Sequence, residues 1–240
     1  MKAPLRVRAA GLTDRGRQRA RNEDAFICDE AEGLFAVADG LGGLPRGELA
    51  ATTAVERLIA LFDGDDAPAE PDWQSLFNRV NGGVIEASQK AGEEGIGTTL
   101  TAVRIAKGRM HAGHIGDSGL FVFSSATHAT KMTVDHTMAQ ELIDACGADA
   151  SGRIPEHYFH TLTQCVGQYA PLTVQTFSLK LTPGTRLLLY TDGVTKTQEM
   201  AELAALVFKT ATPEALVRTI VEIANARGGP DNVTAVAIFC

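Results

Sequence analysis

The sequence contains few cysteines, and their spacing predicts neither a disulfide framework nor a zinc site. None of the four forms a Cys-x-x-Cys pair or lies beside a histidine at the spacing of zinc ligands. They are Cys28, Cys146, Cys165 and Cys240. We interpret them as reduced thiols of a cytoplasmic protein, with two or three of them in the core.

Long hydrophobic runs are absent as well. No apolar run approaches the roughly 20 residues that a membrane-spanning helix needs. Residues 1–6 lack the apolar stretch of a signal peptide. We therefore expect a soluble, cytoplasmic protein that does not attach to a membrane.

The sequence has no run of basic residues, and its formal net charge is −7. The one arginine-rich stretch, residues 15–21, is flanked by carboxylates at Asp14, Glu23 and Asp24. A nucleic-acid-binding surface usually concentrates lysine and arginine on one face. We therefore expect no nucleic-acid partner. The acidic balance instead fits a protein that gathers carboxylates around a cation.

The composition that remains is that of an ordinary globular protein, with 45% of the 240 residues hydrophobic and 21% charged. A chain of this length can bury a large core as one domain. There is no internal repeat. The one linker-like stretch, residues 63–72, is too short to separate two domains and predicts a helix–helix connection. The sequence thus predicts a single domain over residues 1–240.

Apolar patterns predict more strands than helices. The predicted strands cover residues 34–38, 98–105, 110–115, 120–123, 177–181, 186–191 and 233–239, of which the second to fourth form a meander. Helical spacing predicts helices around residues 55–62 and 73–84, and Thr212-Pro213 is a favourable helix start. Because the strands occur in runs, we predict an α+β fold with two antiparallel sheets packed face to face and helices outside.

Aspartates stand at the ends of several predicted strands. Asp39 and Asp192 each end an apolar strand and precede a glycine. Asp231 precedes the C-terminal strand, and Asp117 joins two strands. Clustered carboxylates repel one another and need a cation, and oxygen ligands suit Mg²⁺ or Mn²⁺ rather than zinc. Gly40 leaves room for its carbonyl to approach such an ion. Taken singly, an Asp-Gly pair after a strand is more typical of a hairpin turn.

Residues 13–24 carry a further candidate, Arg19. Its two-pronged guanidinium can hold a phosphate. The alternative is a loop of solvated charges, and the residues alone leave both interpretations open.

Seven segments carry a family resemblance. They are Asp14-x-Gly16-x-x-Arg19-x-x-Asn22-Glu23-Asp24-Ala25, Ala38-Asp39-Gly40-Leu41-Gly42-Gly43-x-x-x-Gly47-Glu48-x-Ala50, Gly97-Thr98-Thr99, His114-Ile115-Gly116-Asp117-Ser118, Asp135-His136-Thr137, Thr191-Asp192-Gly193 and Gly228-Gly229-x-Asp231-Asn232-x-Thr234. In this order they resemble the metal-dependent protein phosphatase family, type 2C class, in its compact bacterial form. One such motif is weak evidence, whereas seven in order across nearly the whole chain are strong.

The resemblance implies a four-layer α-β-β-α sandwich, in which two antiparallel β-sheets are flanked by helices. Residues 1–240 then form one phosphatase catalytic domain. Within it, residues 137–170 correspond to a flap subdomain that borders the active site, so substrate choice can depend on this segment.

The resemblance also implies a centre of two Mn²⁺ or Mg²⁺ ions. By position, Asp39 bridges both ions and the carbonyl of Gly40 binds one of them. Asp192 and Asp231 hold the other ion. Asp117 matches a ligand of a third, weaker ion, with help from Asp192.

Three more residues receive roles from the resemblance. Glu23 and Asp24 act through metal-bound waters, and Arg19 matches the phosphate-binding arginine. The two cations share a water, lower its pKa and supply a bridging hydroxide that attacks phosphorus in line. Arg19, Asp39, Asp192 and Asp231 are therefore the predicted catalytic residues.

The implied activity is that of a protein serine/threonine phosphatase. Its partners are phosphorylated proteins and the pathway of a bacterial Ser/Thr kinase that it opposes, and we expect a monomer. The sequence has no Cys-x5-Arg loop, so a cysteine nucleophile is not expected. Two alternatives stay open: a catalytically silent relative that acts as a binding module, and a small-molecule or nucleotide phosphoesterase.

The sequence departs from the family pattern at two positions. Leu41 stands where some members carry a histidine proposed as leaving-group acid, so the leaving group must take its proton from water. Gly119 stands where an arginine is common, which removes whatever pairing that arginine supplies. We interpret His114 as a hydrogen-bonded structural residue and His136 as an anchor for the following loop.

Overall fold

The structure, a computed structural model, describes residues 5–41, 46–64, 67–93, 95–125 and 128–240. The strands are β1 (Arg8–Asp14), β2 (Asp24–Asp29), β3 (Leu34–Asp39), β4 (Leu100–Ala106), β5 (Arg109–Ile115), β6 (Gly119–Ser125), β7 (His128–Lys131), β8 (Gln175–Lys180), β9 (Arg186–Tyr190) and β10 (Val233–Phe239). The α-helices are α1 (Gly47–Phe62), α2 (Trp73–Ala91), α3 (Met138–Cys146), α4 (Asp192–Thr195), α5 (Met200–Lys209) and α6 (Pro213–Ala226).

The strands pair into two antiparallel sheets. The first has the order β1-β10-β9-β6-β7 and the second the order β2-β3-β4-β5-β8. Between them lies an inner apolar layer, where Phe35 and Val37 of the second sheet are buried with Leu189, Val236 and Ile238 of the first. Alternate residues of each strand point into this layer, and removing their apolar surface from water stabilises the sandwich.

Helices cover the outer face of each sheet. α1 and α2 pack on the second sheet, and α5 and α6 pack on the first, so the predicted four-layer sandwich is confirmed. The side chain of Asp72 caps α2. Thr212 caps α6, with Pro213 in its first turn, so the predicted helix start is confirmed. Residues 63–72 join α1 to α2 as predicted, although residues 65–66 lie outside the described ranges.

The predicted meander over residues 98–123 is wrong in its last strand. β4 and β5 form a hairpin in the second sheet, whereas β6 pairs with β7 and β9 in the first. The chain therefore crosses from one sheet to the other between β5 and β6. It turns at Gly116, whose φ of +104° belongs to a region that side-chain-bearing residues rarely adopt. The apolar pattern is the same for a crossing as for a hairpin, which explains the error.

The sequence patterns did not predict β1, β2, β7, α3 or α5. β1 reads Arg-Ala-Ala-Gly-Leu-Thr-Asp and has one large apolar residue, so no alternation marks it as a strand. It forms because it pairs with β10 along its whole length, from Arg8 opposite Phe239 to Asp14 opposite Val233. Tertiary pairing thus overrides a weak local pattern.

The segment between β7 and β8 packs as a small helical unit. It contains α3 and two short 3₁₀ helices, Ala148–Arg153 and Glu156–His160. An isolated bridge between Thr137 and Leu162 closes the segment on itself, and one between Thr98 and Val166 joins it to the second sheet. Its action as a flap stays a prediction.

All four cysteines are free thiols, as predicted. Cys146 is exposed and the other three are half-buried rather than fully enclosed, although Cys28 and Cys240 pack against the inner apolar layer. Among the residues that the structure describes, no helix combines the length and the apolar character needed to span a bilayer.

Candidate functional site

The aspartates at the strand ends come together at one end of the sandwich. Asp39 ends β3, Asp192 begins α4 directly after β9, and Asp231 lies just before β10. The ammonium of Lys196 lies 2.5 Å from Oδ2 of Asp192 and 2.5 Å from Oδ2 of Asp231, so it joins these two carboxylates. Asp24 is the register partner of Asp39 on the neighbouring strand. We call this region the carboxylate end.

The side chain of Asp39 sits among other acids. Burial is the main cause that raises its pKa well above the usual value, followed by repulsion from neighbouring carboxylates. Those neighbours, from larger to smaller effect, are Asp24, Asp192, Asp117 and Asp231. The carboxylate end therefore holds more negative charge than its surroundings stabilise, and a cation would relieve it.

Two threonines fix the backbone of Asp39. Its carbonyl accepts hydrogen bonds from the N–H of Thr99 and the hydroxyl of Thr98, each at 2.9 Å, and its own N–H donates to the Thr99 hydroxyl. These contacts explain the Gly97-Thr98-Thr99 motif, to which the sequence assigned no role. Gly40 follows, and a Cβ there would lie 2.3 Å from the carbonyl oxygen of Gly47. Only glycine lets α1 approach this closely. Gly42 and Gly43 of the same motif lie outside the described residues.

Asp24 is held by two hydroxyl groups. Its Oδ2 accepts hydrogen bonds from the hydroxyls of Thr191 at 2.8 Å and Thr234 at 2.6 Å. Burial raises the pKa of Asp24 to about 7, and these two hydrogen bonds oppose that rise. Its Oδ1 is buried and has no hydrogen-bond partner among the described residues. The hydroxyls thus fix the carboxylate and leave one oxygen for another ligand.

Asp117 belongs to the same electrostatic cluster. Burial, and after it the charges of Asp192 and Asp135, raise its pKa to about 7. Lys196 acts in the opposite direction and lowers it. The positive charge of Lys196 therefore acts on three aspartates at this end, Asp117, Asp192 and Asp231.

Arg19 reaches the cluster through Asp231. Its Nε lies 2.7 Å from Oδ1 and its Nη2 lies 2.9 Å from Oδ2 of that carboxylate, a two-pronged ion pair. Burial alone would raise the pKa of Asp231, but the bonds and charges of Lys196 and Arg19 outweigh it and lower the pKa. The Arg19 side chain remains 41% exposed. The arginine thus stands between the carboxylates and solvent.

Asn232 ties the loop that carries Arg19 to the C-terminal strand. Its side-chain N–H₂ donates to the carbonyls of Arg15 and Arg21, each at 2.8 Å. Its side-chain oxygen accepts from the N–H of Glu23 at 2.9 Å. The sequence named Asn232 only as part of a motif. The bonds show that it positions the segment that contains Arg19, Glu23 and Asp24.

The donor atoms at this end suit a hard divalent ion. They are carboxylate and carbonyl oxygens, and Oδ1 of Asp24 and of Asp192 are both buried without a hydrogen-bond partner among the described residues. Within the same residues, no three acidic, histidine or cysteine side chains are arranged to enclose one ion as they stand. The Lys196 ammonium lies between Asp192 and Asp231.

The two departures from the family pattern have structural explanations. A Cβ at position 119 would lie 2.2 Å from the hydroxyl oxygen of Tyr190, its register partner on β9. Tyr190 stacks on Phe121 at 4.8 Å and fills the space that a longer side chain would need. Leu41 lies against the backbone of Gly97, to whose carbonyl its N–H donates. An apolar contact therefore replaces the possible acid.

Both motif histidines have structural contacts. The fully buried ring of His114 lies 2.8 Å from the hydroxyl of Thr101 and stacks on His136 at 5.3 Å. Nδ1 of His136 accepts from the N–H of Gly116 at 3.0 Å, and the N–H of His136 donates to the Gly116 carbonyl. These contacts agree with the structural interpretation of both residues.

Sequence reasoning missed Lys196. The available signal was its position, four residues after Asp192, which places the two side chains on one face of a helical turn. Such a pair on a helix is usually a solvated surface contact. Here Asp231, from a distant part of the chain, supplies a second carboxylate to the same ammonium, and this distinguishes the contact from a surface pair.

Two packed antiparallel sheets with an acidic centre between strand ends define a class of α-β-β-α proteins, and comparisons with known proteins agree. The sequence profile described as Protein phosphatase 2C matches residues 13–229. The chain therefore belongs to the protein phosphatase 2C family.

Individual relatives cover nearly all of the chain. It is 29% identical to a putative protein phosphatase 2C-type of Streptococcus pyogenes over 92% of this chain and 93% of that protein. It is 33% identical to the serine/threonine protein phosphatase PstP of Mycobacterium tuberculosis over 97% of this chain but only 45% of PstP, so it spans about half of that relative. The catalytic domain of PstP in complex with two manganese ions superposes with a TM-score of 0.82 at 30% identity, covering 97% of each chain.

Proposed function

We propose that the chain hydrolyses phosphoserine and phosphothreonine in proteins with the help of bound Mn²⁺ or Mg²⁺. The observation that carries the proposal is the meeting of Asp39, Asp192 and Asp231, with Arg19 beside them, at one end of the sandwich. Relatives that carry the name serine/threonine phosphatase match nearly the whole chain. The PstP structure with two manganese ions supports the choice of cofactor.

The proposed ligand assignment follows the family motifs. We assign Asp39 to both ions and the carbonyl of Gly40 to one of them. Asp192 and Asp231 hold the other ion. Asp117, with Asp192, is the proposed ligand of a third, weaker ion, and the raised pKa of Asp117 fits a carboxylate that lacks a cation.

Glu23 and Asp24 act through water in this proposal. Asp24 has a single oxygen left after its two hydroxyl contacts, and that oxygen is buried. One fixed oxygen can orient a water molecule more readily than it can chelate an ion. Glu23 is held in place through its backbone, whose N–H donates to Asn232 and whose carbonyl accepts from Gly40.

When bound, the ions lower the pKa of a coordinated water and offset the negative charge of the phosphoryl oxygens. Arg19 orients the phosphate. Asp231 takes its Nε and Nη2, and the remaining N–H groups of the guanidinium are the donors we assign to the phosphoryl oxygens. Leu41 offers no proton at the position of the acid found in some members, so the leaving alkoxide takes its proton from water.

The biological setting belongs to the proposal as well. We infer a cytoplasmic, monomeric signalling enzyme that acts on phosphorylated proteins and opposes a bacterial Ser/Thr kinase. Residues 1–240 form one catalytic domain in this interpretation, and residues 137–170 act as a flap that influences substrate choice. The bridge from Thr98 to Val166 supports it, because it places the later part of that segment beside the second sheet.

Removal of single carboxylates tests the assigned centre. Asp39→Ala and Asp192→Ala should each abolish hydrolysis of a phosphothreonine peptide in Mn²⁺ while the circular dichroism spectrum stays that of the wild type. Asp29→Asn is the matched control, because Asp29 ends β2 at the opposite end of the sandwich. Wild-type turnover in both alanine variants contradicts the assigned centre.

Substrate comparison separates the alternatives. A protein phosphatase should hydrolyse phosphothreonine and phosphoserine peptides faster than nucleotides, whereas a small-molecule phosphoesterase should show the reverse order. Metal binding without hydrolysis of any of these, or of p-nitrophenyl phosphate, indicates a silent binding module. The presence of Asp39, Asp192 and Asp231 argues against the silent alternative.

A further inference from the structure

Lys196 occupies an unusual place for a lysine. It follows the single turn of α4, and its ammonium lies 2.5 Å from Oδ2 of Asp192 and 2.5 Å from Oδ2 of Asp231. Its side chain is 26% exposed, while those of the two aspartates are 17% and 12% exposed. The contact is therefore partly withdrawn from water and strengthened relative to a surface ion pair.

The same two carboxylates are the pair that the proposed function assigns to one divalent ion. Mg²⁺ binds carboxylate oxygens at about 2.0–2.1 Å and tolerates little distortion. An ammonium at 2.5 Å from one oxygen of each carboxylate fills the space between them. Two cations cannot share that space, so the lysine must leave these oxygens before an ion can use them.

The surroundings give the lysine somewhere to go. A surface cavity of about 730 Å³ lies beside it, lined by Lys196, Glu199, Glu202 and Arg227 among others. Glu202 is already held by the two prongs of Arg227, at 2.6 and 2.8 Å. Glu199 is exposed and offers a carboxylate to a displaced ammonium. The flexible four-carbon stem of lysine allows this movement.

We propose that Lys196 is a tethered counter-ion that competes with the divalent ion for Asp192 and Asp231 and so sets the metal affinity of the centre. The inference rests on the proposed function. It gives Lys196 two effects of opposite sign: the lysine stabilises the metal-free protein by neutralising clustered carboxylates, and it weakens metal binding because its contacts must break first.

Three variants separate charge from shape. Lys196→Met keeps the length of the side chain and removes the charge, while Lys196→Arg keeps the charge. Lys131→Met is the matched control, because Lys131 pairs with Asp135 at the same four-residue spacing, with both side chains 30% exposed, and Asp135 is not a proposed ligand. If Lys196→Met does not fold without metal, Lys196→Gln replaces it.

The measurements are Mn²⁺ affinity by titration calorimetry on protein stripped with EDTA, and melting temperature with EDTA and with saturating Mn²⁺. Lys196→Met should bind Mn²⁺ about tenfold more tightly, the ratio that corresponds to about 1.4 kcal/mol. In EDTA it should melt at a lower temperature than the wild type. On addition of Mn²⁺ its melting temperature should rise more than that of the wild type. Lys196→Arg and Lys131→Met should bind Mn²⁺ as the wild type does.

Other outcomes overturn the inference. Unchanged or weaker Mn²⁺ binding in Lys196→Met, in a wild type that binds Mn²⁺ and hydrolyses phosphopeptides, overturns the competition and leaves the proposed function intact. A gain of affinity in Lys131→Met equal to that of Lys196→Met also overturns it, because the effect is then not specific to the two ligands. A wild type that binds no Mn²⁺ and hydrolyses nothing overturns both.

Discussion

The two ends of the β-sandwich are built from the same strands in opposite ways. At the end away from the carboxylates, which we call the turn end, the backbone closes on itself. Ile105 donates to the carbonyl of Gly33, Leu181 to that of Gly108, and Gly184 to that of Cys240. Of the charged side chains there, Lys107 is exposed, whereas Arg104 is buried with its guanidinium over the ring of Phe62. At the carboxylate end, charged groups are buried between strand ends, and burial raises the pKa of Asp24 and of Asp117 to about 7.

The comparison separates what stability requires from what function requires. The turn end pairs backbone groups with backbone groups, and its buried Arg104 lies near the opposite charge of Glu32, which is the arrangement that stability alone favours. The carboxylate end keeps acids together against their repulsion, which is a loss of stability unless a cation joins them.

Glycine substitution should affect the two ends unequally, and the carboxylate end more. A Cβ at position 193 would lie 1.9 Å from the backbone oxygen of Asn232, so Gly193→Ala must displace the backbone beside Asp192. We expect a loss of about 3 kcal/mol in the free energy of unfolding. Urea denaturation of the metal-free protein measures it. A loss smaller than that of Gly184→Ala at the turn end contradicts the prediction.

Divalent ions should stabilise the protein through the carboxylate end alone. At a free Mn²⁺ concentration about 100 times its dissociation constant, the gain is about 2.7 kcal/mol. Differential scanning calorimetry with EDTA and with Mn²⁺ measures the shift in melting temperature. Asp192→Ala should lose most of the shift and Asp29→Asn should keep it, whereas equal shifts in both variants refute the assignment.

Acid should destabilise the protein through His114. Burial first, and then the charges of His136 and Lys131, lower the pKa of His114 from 6.5 to about 3. Because the folded pKa is depressed, the stability from the neutral ring is present above pH 6.5 and lost as the pH falls from 6.5 towards 3. The wild type should therefore lose about 2 kcal/mol of its free energy of unfolding at pH 5 through this histidine, and His114→Gln should not show that loss.

The measurement is urea denaturation of wild type and variant at pH 7 and pH 5. His111→Gln is the control, since His111 lies on the same strand nearer the turn end. A wild type and a His114→Gln variant that lose equal stability between these two pH values rule the histidine out as the cause.

At the turn end, Gly184→Ala should have the smallest effect. Its φ is +90°, but a Cβ there would have nothing within 4 Å, so only backbone strain opposes the substitution. We expect a loss of about 1 kcal/mol in the free energy of unfolding, measured by the same urea denaturation. A loss as large as that of Gly193→Ala removes the contrast between the ends.

Much of the carboxylate end could be predicted because its signals are local. Asp39 and Asp192 each follow an apolar run and precede glycine, so the strand and the position of the acid appear together in the sequence. Asp39 ends a strand of the second sheet and Asp192 follows a strand of the first, and the packing of the two sheets brings these strand ends to the same end of the sandwich. Asp231 and Arg19 were candidates from their residue types and positions, and the family motifs assigned their roles.

The rest depends on long-range geometry. The crossing between β5 and β6 has the same apolar pattern as a hairpin, so only the packed sheets show it. The fit of Gly119 against Tyr190 joins two strands far apart in sequence. The role of Lys196 can be recognised only when Asp231 is known to lie beside Asp192. In each case the deciding partner lies outside any window that a sequence pattern covers.

Asn232 has a consequence for the order in which the protein can be made. Its side chain is bonded to the carbonyls of Arg15 and Arg21 and to the N–H of Glu23, more than 200 residues earlier. The early segment is synthesised first, and Arg19 and Glu23 can take their places only after Asn232 and β10 have been made. A nascent chain therefore carries the early acids and arginines without a formed centre until Asn232 has been synthesised.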